Sequence, residues 1–387
     1  MKTNTSLLRK FLAPEYIYGI GSRKLISQYT LNYGLSKVLL VTDEGVLNAG
    51  WSSEIEKILN ASGIETILYS DVSPNPRDYQ VMNGAKLFEE KNCDSIVVVG
   101  GGSAIDCGKG IGIVVSNQKH ILEFEGVDKV EIPAPPLLCI PTTAGTSADV
   151  SQFCIITDTT RLVKIAIVSK KTIPDVSLID PETTITMPNE LSIETGLDAL
   201  THAIEAFVSN AHSPMTDMNA IEAMKLITEY LPKVYEKPEN MEYREKMMLG
   251  SLYAGLAFSN ASLGAVHAMA HSLGGFKDLP HGLCNTILLD KVIDYNFDSE
   301  SKRYRKIADI FNLNATQAGD NFIKEDMLKY LKDLKQQLNI DKNLSQVGLV
   351  NNDLKELSYT ASNDVCLVTN PKKLTAIDLE RIYEQSI

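Results

Sequence analysis

The run Ser95-Ile96-Val97-Val98-Val99 leading into Gly100-Gly101-Gly102-Ser103 limits the fold more than any other stretch of this chain. A short apolar, β-branched run without polar alternation predicts a strand buried on both faces, as in a parallel sheet. The glycines behind it let the backbone turn tightly and approach a ligand. Ser103 with Asp106 reads as a capping-box-like helix start. Free N–H groups and the positive end of the helix dipole there suit a phosphate, although a Gly-rich turn is also often only a turn.

The neighbouring segments repeat the same grammar. Phe11 to Tyr18 reads as a strand closed by Gly19 and Gly21, and Lys37 to Asp43 as a buried strand ending in an acid. A helical pattern through Ile55, Ile58 and Leu59 precedes a strand at Ile64 to Tyr69, and a helix at Tyr79 to Glu90 follows the turn Ser73-Pro74-Asn75-Pro76. Leu137 to Ile140 is a further strand, followed by Pro141-Thr142-Thr143-Ala144-Gly145-Thr146-Ser147, hydroxyl groups and a glycine where α/β folds bind ligands. The same threonines also suit a turn that caps itself. Ile155 to Thr157 and Lys164 to Val168 read as a hairpin, with Lys164 either a cation for phosphate or ribose or a solvated strand lysine. Such alternation predicts a doubly wound sheet. The pattern is GGGS and not GxGxxG, and Asp43 precedes it where a Rossmann chain carries its acid some twenty residues later, so the ordinary dinucleotide fingerprint is absent.

After Asp180 the strand signals nearly vanish. Helical patterns run over Leu191–Asn210, Met215–Tyr230, Tyr243–Ser259, Leu263–Leu273, Tyr304–Phe311 and Ile323–Leu338. The change in composition places a domain boundary near Met187-Pro188, giving an α/β domain over 1–187 and a helical domain over 188–387. The helical half holds GLDALTHAIEA (196–206) and GAVHAMAHSLGGFKDLPHG (264–282), with four of the six histidines. Asp198 and His202 are four apart, as are His267 and His271, so each pair shares a helix face with Cβ atoms within about 6 Å. Gly274-Gly275 and Pro280 are expected to end the second helix and turn His281 back. Such i,i+4 pairs also occur on solvated faces, but the residues between them here are small or apolar, and unpaired buried imidazoles cost several kcal/mol. Asp198, His202, His267 and His281 thus read as one O and three N ligands for Fe(II) or Zn(II), not Ca or Mg.

At 387 residues two domains are the natural expectation. A net charge of −12 argues against nucleic acid or an anionic membrane as partner. The six cysteines are scattered without CxxC spacing, as in the reduced thiols of a cytoplasmic protein. The N-terminal segment has no continuous apolar leader region, and no run of about 18 apolar residues predicts a membrane span.

With these residues in hand the chain resembles the iron-dependent (group III) alcohol dehydrogenase family over essentially its whole length. The resemblance rests on the strand ending in Asp43, Asn75-Pro76, GGGSAID, PTTAGTSADV, DPETT, GLDALTHAIEAFVS, the H-x3-H-x9-H array ending in Pro280-His281-Gly282, and Cys366-Leu-Val-Thr-Asn-Pro371. It implies a dehydroquinate synthase-like α/β domain followed by an all-helical domain, which accounts for the missing Rossmann fingerprint. It implies Asp198, His202, His267 and His281 as ligands of Fe(2+), with Zn(2+) chemically able to replace it. His271 would lie near the nicotinamide or substrate oxygen as proton carrier, or be a packed helix histidine. Gly101, Gly102 and Ser103 would hold the pyrophosphate of NAD, with Asn75, Thr142, Thr143, Thr146 and Lys164 lining the rest. Asp43 would accept from the ribose 2′-hydroxyl and repel a 2′-phosphate, favouring NAD over NADP.

The implied reaction is metal-assisted hydride transfer between short primary alcohols or diols and their aldehydes. Phe153, Phe258, Leu263 and Cys366 are read as pocket lining, all equally explicable as core. Cys284 stands where many relatives carry a small aliphatic residue, and is expected to alter the pocket. A dehydroquinate synthase-like lyase would need more Lys and Arg near the metal, and Leu263 to Gly275 contains none. A non-catalytic regulatory relative would show eroded ligands, and these are intact. The N-terminal strand, exposed unless paired, suits a strand-exchanged homodimer or a higher homo-oligomer.

Overall fold

The computed structural model describes residues 9–313 and 319–387. The first part of the N-terminal segment read above lies outside them. Among the described residues, nine strands occupy the first half: β1 (Glu15–Tyr18), β2 (Lys37–Val41), β3 (Glu65–Tyr69), β4 (Ser95–Gly100), β5 (Gly126–Val127), β6 (Leu137–Pro141), β7 (Phe153–Asp158), β8 (Val163–Val168) and β9 (Val176–Ile179). Five helices alternate with them: α1 (Ile26–Asn32), α2 (Glu44–Ala49), α3 (Trp51–Ala61), α4 (Asp78–Glu90) and α5 (Gly102–Asn117). The first strand is shorter than its aromatic run predicts and begins at Glu15.

Six strands form a parallel sheet in the order β1-β9-β6-β4-β2-β3. Side-chain alternation divides its two faces. Leu39, Val41, Ile96 and Val98 pack with Val81, Ala85, Ile105 and Ile111 of α4 and α5. Val38, Leu40, Val97 and Val99 pack with Ile26, Ile55 and Leu59 of α1 and α3. Burial on both faces explains why these strands read as continuous apolar runs. The adjacency of β2, β4 and β6 matters for function, because their carboxyl ends lead into Asp43, Gly101–Ser103 and Thr142–Thr146 respectively. A three-stranded sheet, β5-β8-β7, adds the antiparallel β7–β8 hairpin that carries Phe153 and Lys164.

From residue 189 onward the described elements are helical: α6 (Asn189–Val208), α7 (Pro214–Glu236), α8 (Met241–Ala261), α9 (Ala265–Lys277), α10 (His281–Asn296), α11 (Ser301–Ile310), α12 (Asp320–Gln337), α13 (Leu354–Ser362) and α14 (Ala376–Glu384). Every residue of α6 from Ser192 to Val208 is buried, so this helix has no solvated face. An all-round buried helix carries a weak amphipathic signal. It packs against α7, α8 and α10, and its Gly196 admits Leu231 of α7, whose Cδ1 lies 2.4 Å from where a Cβ would stand.

Two local expectations fail for identifiable reasons. The helix α9 does not stop at Gly274-Gly275 but runs on to Lys277. Those glycines serve close packing: a Cβ on Gly275 would lie 2.7 Å from the Val163 backbone, and one on Gly274 2.9 Å from the Lys164 ammonium. The turn comes instead at Asp278, in the left-handed region at φ 52°, before Pro280. Ser103 and Asp106 do not form a capping box either, since α5 starts at Gly102 with Gly101 as an N-cap that has no side-chain acceptor. The first amides of α5 therefore stay free of side-chain partners.

Candidate active site and metal centre

A cleft of about 830 Å³ runs along the carboxyl ends of β2, β4 and β6, and α6 forms part of its wall. Asp43, Asn75, Gly101, Gly102, Ser103, Thr142, Thr143 and Thr146 all line it. The close fit needs glycine: a Cβ at Gly102 would stand 2.7 Å from the Thr146 hydroxyl, and one at Gly101 2.9 Å from the Thr143 methyl. The threonine loop is seated on α6 in turn, because a Cβ at Gly145 would meet the Thr195 carbonyl at 2.6 Å. Asp43 caps α2, accepting from the Val46 amide at 3.0 Å, and burial raises its carboxyl above the usual range. No lysine or arginine borders this cleft among the described residues, whereas Asp43, Glu44, Asp71 and Glu194 do. The α5 amides are thus its principal feature attractive to an anion.

The cleft deepens into a pocket of about 100 Å³, walled by Phe153, Phe258 and Leu263 and by Ser103, Asp106, Lys164 and His271. Asp198 and His281 border both spaces. Lys164 is buried; its ammonium donates to the Asn75 amide oxygen at 2.7 Å, and desolvation pulls its pKa below the usual range. Asn75, at φ 56°, donates in turn to Asp278 at 2.9 Å, and Arg77 pairs with Asp278 at 2.7 Å. These contacts tie the α/β side to the loop that delivers His281. Asp106, which sequence reading assigned to a cap, faces the pocket; burial pushes its carboxyl up to about 7 despite nearby Lys109 and Lys164.

At the inner end, α6, α9 and the start of α10 bring four side chains to one focus. The Nε2 atoms of His202, His267 and His281 lie 3.7, 3.6 and 3.7 Å from Asp198 Oδ1, and one candidate donor atom from each residue falls within 4.8 Å of the others. A tetrahedral site with bonds of roughly 2.1 Å has edges of about 3.4 Å, so this spacing fits an imidazole/carboxylate metal centre. The His202 ring stacks on His267 at 4.6 Å and on Phe258 at 4.2 Å, which fixes its plane.

Three polar residues that the sequence reading did not single out complete the site. Glu205 accepts from His267 Nδ1 at 2.6 Å and from the Val266 amide at 2.7 Å, so it caps α9 and turns the His267 Nε2 lone pair inward. That is the carboxylate–histidine pairing expected behind a metal ligand. Its signal was present: Asp198, His202 and Glu205 stand at i, i+4 and i+7 of one helix. Asn285, one turn into α10, donates to Asp198 at 2.6 Å and approaches His267 Nε2 at 3.1 Å. Asp364 accepts from His271 Nδ1 at 2.9 Å across 93 residues of chain, and no local pattern announces it.

The electrostatics of the protein groups describe a place made for a cation. Burial alone would raise Asp198, but the His202, His281 and His267 rings hold it well below the carboxylate range. Desolvation pulls His202 down to about 4 and His281 well below its ordinary value. Against the same desolvation, hydrogen bonds to Asp198 and Glu205 raise His267 to about 9. The two carboxylates thus favour a cation at His267, and a metal bound there would take the place of the proton on Nε2. Neutral imidazoles and an ionised carboxylate are the ligand forms that a divalent metal requires.

Two cysteine expectations need correction. Neither Cys366 nor Cys284 lines the pocket or the cleft; both are fully buried. Cys366 sits behind His271 against Asp364, and burial pushes the Cys284 thiol up to about 12, as expected of an inert core thiol. All six cysteines are free and buried.

Comparison with known proteins supplies the family. Residues 13–181 match the family described as iron-containing alcohol dehydrogenase, and residues 192–387 the C-terminal part of the Fe-containing alcohol dehydrogenase family. The chain is 36% identical over 377 residues to the NAD-dependent methanol dehydrogenase of Bacillus methanolicus, covering 97% of this chain and 99% of that one. It is 37% identical over 379 residues to the 1,3-propanediol dehydrogenase of Klebsiella pneumoniae, covering 97% and 96% of the two chains. The crystal structure of a 1,3-propanediol oxidoreductase superposes with a TM-score of 0.94 at 36% identity, covering 98% of this chain and all of that one. Fold, sequence and site together place this chain in the iron-containing alcohol dehydrogenase family.

Proposed function

We propose that this enzyme uses NAD and a divalent metal, Fe(2+) or Zn(2+), to interconvert short primary alcohols or diols and their aldehydes. The observation that carries the reading is the focus of Asp198, His202, His267 and His281 at the inner end of a cleft lined by glycines and threonines. A metal held by those four side chains supplies Lewis acidity toward a substrate oxygen, and a bound nicotinamide supplies the hydride acceptor.

The chain's own groups do the rest. The first amides of α5 receive the diphosphate, with Gly101, Gly102 and Ser103 making room for it. Asn75, Thr142, Thr143, Thr146 and Lys164 line the remaining dinucleotide path, and Asp43 takes a ribose hydroxyl and disfavours a 2′-phosphate. Phe153, Phe258 and Leu263 give the pocket an apolar wall, which limits substrates to short, unbranched carbon chains and keeps water from the reacting carbon. His271, fully enclosed and facing the pocket, moves the hydroxyl proton. Lys164 is the only lysine or arginine among the described residues of the pocket wall, which disfavours a phosphorylated, carboxylated substrate and hence the lyase reading.

The outer edge of β1 pairs with no strand among the described residues, which supports a strand-exchanged homodimer; a monomer in sedimentation at micromolar concentration would remove that part. No helix among the described residues is long and apolar enough to cross a membrane, and the free cysteines suit a cytoplasmic enzyme. The test of the activity is a panel of aldehydes from two to six carbons with NADH and NADPH. Turnover of short aldehydes with NADH is the expected result. Failure of every aldehyde, with metal and NADH both bound, would reject it.

A further inference from the structure

The second carboxylate–histidine pair in this molecule lies outside the metal focus. Asp364 caps the short 3-10 turn Val365–Thr369, and its Oδ1 accepts from the Cys366 amide at 2.8 Å. Its Oδ2 meets His271 Nδ1 at 2.9 Å. The Cys366 thiol lies in the same cluster, within 4.8 Å of both partners. The pair is shut away from solvent, with side-chain exposures of 3% for His271 and 9% for Asp364. Although burial would raise Asp364, its contacts with His271 and Cys366 hold its carboxyl below the usual range.

We propose that Asp364 is a positioning residue that fixes His271 as the Nδ1–H tautomer, so that Nε2 presents its lone pair to the pocket. The proposal rests on the reading of His271 as proton carrier given above. A carboxylate ringed by donors offers no proton, so the hydrogen between it and His271 belongs to Nδ1. With that hydrogen on Nδ1, the ring has a single acceptor left, at Nε2. The stack on His281, at 5.3 Å with planes 15° apart, holds the plane of the His271 ring, and a half-turn within that plane would break the 2.9 Å contact with Asp364. In alcohol oxidation the substrate O–H bond breaks and an N–H bond forms at Nε2. The hydride leaves separately for the nicotinamide, and the imidazolium formed is stabilised by the Asp364 carboxylate until its proton passes to water. In the opposite tautomer Nε2 would carry hydrogen and could not accept.

The test combines tautomer and rate. Zinc-loaded protein labelled with [15N]histidine is examined by NMR with NADH bound, the His271 signals being assigned by their loss in H271N. The expected wild-type pattern is hydrogen on Nδ1 and none on Nε2. In D364N the pattern should reverse or mix, with kcat for alcohol oxidation falling roughly 10²–10⁴-fold, as when a catalytic imidazole loses its orienting carboxylate. KM for NAD and bound metal should be unchanged, and D364E should restore part of kcat. Hydrogen on Nε2 in the wild type overturns the proposal whatever becomes of D364N, since the assignment needs only H271N. Full kcat in D364N with loss in H271N overturns the role of Asp364 alone. Full kcat in H271N overturns the proton-carrier reading and the purpose assigned to Asp364 with it.

Discussion

The cleft proposed for the dinucleotide and the focus proposed for the metal are built by opposite means. The cleft is made of backbone: strand ends, the bare amides of α5, and glycines that let a threonine loop close in. The focus is made of side chains drawn from three buried helices, each oriented by a hydrogen bond or a ring stack. A backbone site tolerates the loss of any one side chain but not the gain of a methyl group. A side-chain site tolerates neither, and its cost in desolvated charge falls on the fold when no cation is present.

Within the metal focus, the sharpest blow to metal binding short of removing a ligand falls on Glu205. Glu205→Gln keeps the shape but weakens the hold on His267 and the α9 amide. Metal affinity or kcat should drop by roughly 10–100-fold, as for other partners behind metal ligands, with KM for NAD unchanged. Metal analysis after dialysis against a weak chelator measures this; full retention would mean that the focus does not depend on its supporting carboxylate. On the other side, Gly102→Ala places a methyl against Thr146 and should raise KM for NAD roughly tenfold, about 1.4 kcal/mol, at normal metal content. Equal loss of metal would erase the distinction between the two regions.

Smaller effects test the acids of the cleft. Asp43→Ala should improve the NADP/NAD ratio of kcat/KM several-fold, at a stability cost of about 1 kcal/mol for the lost α2 cap; an unchanged ratio would take Asp43 out of cofactor selection. Glu194, raised to about 7 by burial and then by Glu190, gives the mildest effect. A carboxyl with a raised folded pKa binds more protons folded than unfolded between about 4.5 and 7, so its contribution to stability falls as pH rises through that window. Glu194→Gln should therefore flatten stability between pH 5 and 8, read by thermal melts. It should also lower KM for NAD roughly two- to fivefold at pH 8 by removing a charge from the cleft proposed for the diphosphate. A KM that rises would show that Glu194 helps to hold the cofactor.

Legibility in the sequence follows the same division. The strands β2, β4 and β6 were readable because burial on both faces makes them uninterrupted apolar runs. The histidine array was readable because i,i+4 spacing survives any tertiary context. Gly274 and Gly275 were visible, but their work was not: they look like a helix end and instead admit β8. The helix α10 was missed because Pro280 and His281 read as an end and not as a start. Asp364 and Asn285 were missed because their meaning is tertiary. Cys366 was misplaced by one layer, since a buried position beside a pocket-lining histidine resembles a pocket position in sequence.

The central claim is that the four-residue focus holds the metal on which turnover depends. The direct measurement is anaerobic titration of metal-stripped protein with Fe(II) and Zn(II), following bound metal and NADH oxidation by a short aldehyde together. Activity should rise in step with one equivalent per chain, and His267→Ala should lose metal and at least about 10³-fold in kcat/KM, the scale of a several-kcal/mol electrophile. Unchanged turnover by the metal-free protein, or by His267→Ala, would contradict the account.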